Sequence, residues 1–230
     1  MATNYAPRIV TDGLILCLDA ACKRSYTGAG TTWTDLTGNN NEALTNGPAF
    51  SSANGGSIVF DGTNEFALTS NNLTITGDQS IETFLKFNSL ESFLQGLVSN
   101  HDYVNTSNFG VNQVQNDKIG ISIGYTDGTR EYNSKYSIAA VVTGRYYHIV
   151  MTFNLTANQC KLYINGVLDS TFNLSKTVKY TSRPMVVGRW DYNHPHYYFE
   201  GHVALARYYS KTLTAAEVKQ NFNATKGRFV

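Results

Sequence analysis

Three cysteines in 230 residues, Cys17, Cys22 and Cys160, are too few and too scattered to frame a fold. The number is odd and no C-x-x-C spacing occurs, so neither a disulfide scaffold nor a thiolate zinc site is indicated. Three buried or half-buried thiols are expected instead. Charge is scarce as well. Only 15% of the residues are Asp, Glu, Lys or Arg, and 18 basic side chains nearly cancel 17 acidic ones. No long run of like charge occurs either, so the footprint of a protein that grips a phosphate backbone is missing. Nucleic acid is not an expected partner. Long apolar runs are also absent. The stretch from Leu14 to Leu18 is short and lies between Asp12 and Asp19, which suits neither a secretion signal nor a membrane span. The chain is therefore expected to be made as a soluble protein in a cytoplasm, with no membrane partner.

What is plentiful is aromatic and turn-forming. Fifteen Tyr and twelve Phe accompany many Asn, Thr and Gly, the mixture of a strand-and-turn protein with a polar, weakly charged surface. Such surfaces suit sugars and protein contacts. The length fits one all-β sandwich, and the expected organisation is an N-terminal arm over 1–12, carrying Pro7, followed by a single domain over 13–230. The most regular stretch runs from Arg145 to Ser170. Tyr147, Ile149, Met151 and Phe153 alternate with more polar residues, the period of a half-buried strand. Cys160, Leu162 and Ile164 repeat the pattern, and Asn165-Gly166 supplies the two positive φ values of a type I′ hairpin turn. Gln79 to Phe87 is apolar on parts of both faces, which suits a central strand. One helix is expected, Ala215 to Asn223. Thr214 and Glu217 form a capping box there, with Leu213 and Val218 as a hydrophobic staple.

Several runs, in order, resemble the laminin-G-like and pentraxin-like branch of the concanavalin A-like jelly rolls. They are "GLILCLDA", "DLTGNNNEALTNGP", "GGSIVFDGTNEFALT", "QSIETFLKF", "HIVMTFN" with "KLYINGVLDS", and "LTAAEVKQNF". Phe84 and Tyr146 stand at positions where the family usually has Trp, and Ala204 and Ala206 replace the acidic pair of its last strand motif. The resemblance implies an all-β concanavalin A-like jelly-roll β-sandwich of two antiparallel sheets with a short C-terminal helix. The run from Asp35 to Pro48 is most similar to modules of tailed-phage structural proteins. That implies a non-catalytic virion component, on the head surface or in the tail, whose partners are other virion proteins and further copies of itself. The alternative is a lectin-like module for a host or surface glycan, and a glycan hydrolase comes third.

Hydrolysis of a glycoside normally needs paired carboxyl groups, and the glucanases of this superfamily carry them as E-x-D-x-x-E on one strand. Glu82 and Glu200 each stand alone, so no enzyme is expected. No cofactor is expected either. Loop oxygens from Asp61, Asn64 and Glu65 are the one calcium candidate, against the reading that Asp61 caps the turn at Gly62. Asp191, His194, His196 and His202 have the residue types for a transition metal, but Pro195 and the surrounding rings favour a contact loop. Its expected contact residues are Trp190, Tyr192, His194, His196, Tyr197 and Tyr198. Trp190 and Phe199 have a second reading as strand ends that cover the core.

Overall fold

The protein is described here by a computed structural model, covering residues 8–90, 94–102, 107–114, 117–131, 134–180, 182–191 and 196–229. The hairpin predicted from Arg145 onward is the spine of one sheet. The Tyr146–Asn154 strand pairs antiparallel with Gln159–Ile164, which turns back into Val167–Asn173. At the turn Asn165 has φ 52° and Gly166 φ 74°, the pair of left-handed residues that a type I′ turn requires. Tyr147, Ile149, Met151 and Phe153 all enter the core.

On its other side Tyr146–Asn154 pairs with Gln79–Phe87, which in turn pairs with Glu200–Tyr209. Beyond these lie Ser57–Asp61, Ala49–Ser51 and Leu14–Asp19. The second sheet has the order Arg130–Glu131, Lys118–Gly124, Ser107–Val114, Leu94–Asp102, Val186–Val187, Phe66–Thr69, Glu42–Thr45 and Thr32–Trp33, with Tyr136–Ala140 also on the Lys118–Gly124 strand. The apolar inner faces of the two sheets meet in one core, which includes Phe60, Phe87, Leu97, Ile121, Met151 and Phe199. The turn at Gly62 carries the chain from one sheet to the other: Ser57–Asp61 belongs to the first sheet and Phe66–Thr69 to the second.

The helix runs Ala215–Thr225 and begins as the sequence requires. Thr214 Oγ1 accepts from the Glu217 amide at 3.2 Å, and Glu217 Oε2 accepts from the Thr214 amide at 2.8 Å. A cap of this kind stabilises a helix by about 1 kcal/mol. The helix lies on the outer face of the first sheet, where Leu213 and Val218 share a small cluster with Val10, Val150 and Tyr209. That cover explains why the Gln79–Phe87 strand is buried on both faces.

Two further parts complete the sandwich. The polar stretch after Lys23 holds the short strands Thr32–Trp33 and Glu42–Thr45, organised around Asp35. Its Oδ1 accepts from the amides of Cys17 at 2.8 Å and Thr37 at 3.0 Å, and its Oδ2 from those of Asn39 at 3.2 Å and Asn40 at 3.0 Å. The described part of the N-terminal arm, residues 8–12, packs against the helix. Val10 is buried, its amide donates to Asn221 Oδ1 at 2.8 Å, and the Gln220 side chain donates to the Arg8 carbonyl at 2.7 Å. Those contacts bury an apolar side chain and satisfy backbone groups at once. Residues 1–7, the rest of that arm, lie outside the described residues.

Candidate functional site

The outer face of the second sheet is paved with small side chains. Strand register aligns Gly96 with Asn112, and Ser99 with Gly110 and then Ser122. A chain segment that starts at Gly188 crosses this trough as a strap. A Cβ at Gly96 would lie 2.0 Å from the Trp190 nitrogen, so only glycine admits the strap here. Ser99 Oγ donates to the Trp190 carbonyl at 2.8 Å, and the Gly96 amide donates to the Tyr197 carbonyl at 2.8 Å. Trp190 Nε1 donates to Ser122 Oγ at 3.3 Å. At its ends the Phe199 amide donates to the Gly188 carbonyl at 2.9 Å, and the Gly188 amide to the Leu97 carbonyl at 2.9 Å.

Trp190 was an expected contact residue, and the structure corrects that: its side chain is 2% exposed. The small residues beneath leave room for an indole, and burial holds it there. Its alternative reading as core cover is the one observed, and Phe199 is likewise buried. Beside Trp190, the His101 ring lies 4.3 Å away, and His101 Nδ1 is 3.2 Å from Asp191 Oδ2. Burial lowers the His101 pKa and Asp191 opposes the shift. His101 and Asp191 are both fully buried, so they brace the strap rather than face solvent.

The outward side of the strap is aromatic. Tyr197 is 38% exposed and has φ 61°, a left-handed conformation that a bulky residue adopts at a cost of about 1 kcal/mol or more. Its ring meets Trp190 edge to face at 5.5 Å and lies 6.1 Å from the exposed His196 ring. Tyr198 is half-buried at 6.5 Å from Phe66, and the Arg189 guanidinium stacks 3.7 Å over Phe66. Tyr192 and His194 lie outside the described residues. His196, Tyr197 and Tyr198 are therefore the predicted contact residues that the structure places at or near the surface.

The metal candidates are dispersed or occupied. Asp61 Oδ1 accepts from the Thr63 amide at 2.8 Å and the Asn64 amide at 3.4 Å, while the Asp61 amide donates to Glu65 Oε2 at 2.8 Å. This is the turn-capping arrangement. His202 is on the opposite sheet, with Nδ1 3.0 Å from Ser57 Oγ, so it does not meet Asp191 or His196. Among the described residues no three metal-ligating side chains converge.

Sequence reading left Glu82 alone, yet it is the centre of a buried network. Its Oε1 accepts from Arg207 Nη1 at 2.8 Å and lies 3.0 Å from His148 Nε2. Its Oε2 accepts from Asn221 Nδ2 at 2.7 Å and the Tyr209 hydroxyl at 3.2 Å. Burial pushes the Glu82 pKa up, but Arg207, His148 and Asn221 outweigh it and hold the carboxyl at about 2. An ionised Glu82 accepts only, so the His148 proton sits on Nε2. The partners are distant in sequence, and no local signal points to them.

A two-sheet antiparallel sandwich with one C-terminal helix defines a concanavalin A-like scaffold. The chain belongs to the concanavalin A-like lectin/glucanases superfamily, whose laminin G model matches residues 60–219. No curated protein matches the sequence. Among solved structures it is similar to Trypanosoma rangeli sialidase, at 12% identity and TM-score 0.69, over 96% of this chain and 34% of that one. It is also similar to the receptor binding domain of botulinum neurotoxin D, at 15% identity and TM-score 0.70, over 92% of this chain and 52% of that one. The binding domain of Paraclostridial Mosquitocidal Protein 1 is similar at 16% identity and TM-score 0.70, over the same two shares. The chain thus spans about a third of the sialidase and about half of the toxin domains. At these identities the likeness is one of fold.

Proposed function

We propose that the protein is a non-catalytic, lectin-like binding module whose strap recognises a glycan. The observation that carries this reading is Tyr197, an exposed ring held at positive φ on a segment pinned at both ends to a rigid sheet. A fixed aromatic face beside an imidazole suits the apolar face and hydroxyl edge of a sugar, and little entropy is lost on binding because the Gly96 amide already holds the Tyr197 backbone on the sheet. The superfamily and the fold shared with toxin binding domains support a binding role. The non-catalytic part is supported by Glu82, which is ionised, buried and fully engaged and so lacks the raised pKa of a general acid. A glycan array tests the proposal. Reproducible binding of a defined sugar, weakened about tenfold or more by Tyr197→Ala, is the expected result, and an array without binding overturns it.

A second reading is a structural component of a phage particle, as the motif from Asp35 to Pro48 implies. One observation favours protein assembly. Ile138 is 76% exposed, Val167 60% and Leu168 46%, and the Asp169 carboxylate binds the amides of Ile138 at 2.7 Å and Ala139 at 3.0 Å, which brings these side chains to one edge of the sandwich. Exposed apolar clusters on sheet edges commonly mark protein contacts. Sedimentation velocity separates the readings. Self-association abolished by Ile138→Lys with Val167→Lys supports assembly, and a monomer at all concentrations removes this support for it.

A further inference from the structure

Two aromatic residues, Phe84 and Tyr146, lie side by side on the outer face of the first sheet. Register sets Tyr146 opposite Lys86 and Phe84 opposite His148. The helix and the chain after it add two more rings, Phe222 and Phe229. Phe222 stacks on Phe84 at 6.1 Å, while Phe229 packs on Phe84 at 4.7 Å and on Tyr146 at 4.4 Å. Phe84 is buried, but Tyr146, Phe222 and Phe229 each keep part of their surface in the groove that they floor. Its volume is about 440 Å³. Small-ligand sites span roughly 300–1,000 Å³.

The rim is cationic. Lys86, Arg145 and Lys226 line the groove and among the described residues no carboxylate does, although the whole chain carries a net charge of only +1. None of the three forms an ion pair among the described residues. Lys86 Nζ stands 5.5 Å from the Tyr146 ring and Lys226 Nζ 5.3 Å from the Phe222 ring, so positive charge and ring faces alternate. Asn165 spends its Oδ1 on the His148 amide at 3.0 Å, which leaves its amide nitrogen to donate to a ligand. Three cations call for an anion, and the flat rings call for a ligand with an apolar face close to that anion.

We propose that this groove is a second binding site, for an acidic saccharide. The sugar ring lies against Tyr146 and Phe229, and its carboxylate or sulfate meets Lys86, Arg145 and Lys226. The site lies on the opposite sheet from the strap and does not depend on the strap's function. The test is calorimetric titration with hexasaccharides of hyaluronan and of chondroitin sulfate. A neutral chito-hexasaccharide and a glutamate-rich peptide serve as comparisons. The expected result is that at least one acidic sugar binds about tenfold or more tightly than the neutral one, and loses about tenfold in Lys86→Gln with Lys226→Gln. Raised salt should weaken the binding, and Tyr197→Ala should leave it unchanged. The lysine pair is only half-buried, so the melting temperature of that variant should stay within a few degrees of the parent. Equal binding of the neutral sugar, a peptide that binds as tightly, no acidic sugar bound at millimolar concentration, or an unaffected lysine variant would each overturn the proposal.

Discussion

Arg207→Met should cost the fold several kcal/mol, because it leaves the Glu82 charge buried without its main counter-ion. The Glu82 side chain is 0% exposed and that of Arg207 3%, so water does not replace the lost guanidinium. Breaking such a pair typically costs about 3–5 kcal/mol, whereas replacing both members with apolar residues is often close to neutral. The depressed Glu82 pKa leads to a figure of the same order. The Glu82 pKa falls from 4.5 to about 2, and at ~1.4 kcal/mol per unit this is on the order of 3 kcal/mol. Because the folded value is depressed, that stability is present above pH 4.5 and is lost as pH falls toward 2. At this chain length 1 kcal/mol moves the melting temperature by ~2–4 °C, so Arg207→Met should lower it by roughly 6–20 °C at neutral pH. Urea unfolding of Arg207→Met, Glu82→Leu and the double variant closes the cycle. The double variant should recover much of the loss and lack the acid-dependent step. A single variant that loses less than about 1 kcal/mol, or a double variant no better than the single, would show that Arg207 does not stabilise the buried Glu82 charge.

Four further outcomes follow from burial and backbone geometry. Gly166→Val should destabilise the fold by about 1–3 kcal/mol in denaturant unfolding, because φ is 74° there and a Cβ would lie 2.9 Å from the Phe222 side chain. Trp190→Ala should cost about 3–5 kcal/mol in thermal unfolding, while Tyr197→Ala shifts the melting temperature by only a few degrees. Glu42 is fully buried, with both carboxyl oxygens unpartnered, and burial followed by Asp35 raises its pKa. Burial thus favours its neutral form, so the stability it contributes is fully present below the usual carboxylate range and falls as pH rises through the folded value. Glu42→Gln should flatten that decline in melting curves taken across pH. Native-state alkylation should modify the half-buried Cys22 and spare Cys160, whose thiol pKa burial pushes upward.

The legible parts of the fold are those with local causes. The Asn165-Gly166 turn and the Thr214–Glu217 cap are complete within a few residues, and the strands beside them are long enough to show a period of two. Thr32–Trp33 and Glu42–Thr45 are too short to show one, and the Asp35 side chain that arranges them acts through backbone amides. Trp190 was ambiguous because its partner is a trough of Gly96, Ser99 and Ser122, remote in sequence and unremarkable one residue at a time. The same holds for Glu82, whose partners lie 66 to 139 residues away. Tyr146 and Phe84 stood out only as departures from a family pattern, and their adjacency across two strands became visible in three dimensions.

The claim that the strap is a sugar-recognition surface is tested most directly by a crystal structure of a saccharide complex. The ligand is the strongest binder found on the array with the Lys86→Gln, Lys226→Gln variant, so that the groove of the opposite sheet contributes little. Density for the sugar is expected against the Tyr197 ring, within hydrogen-bond reach of His196. Density for the sugar at any other surface, with Tyr197 open to solvent, would contradict the claim.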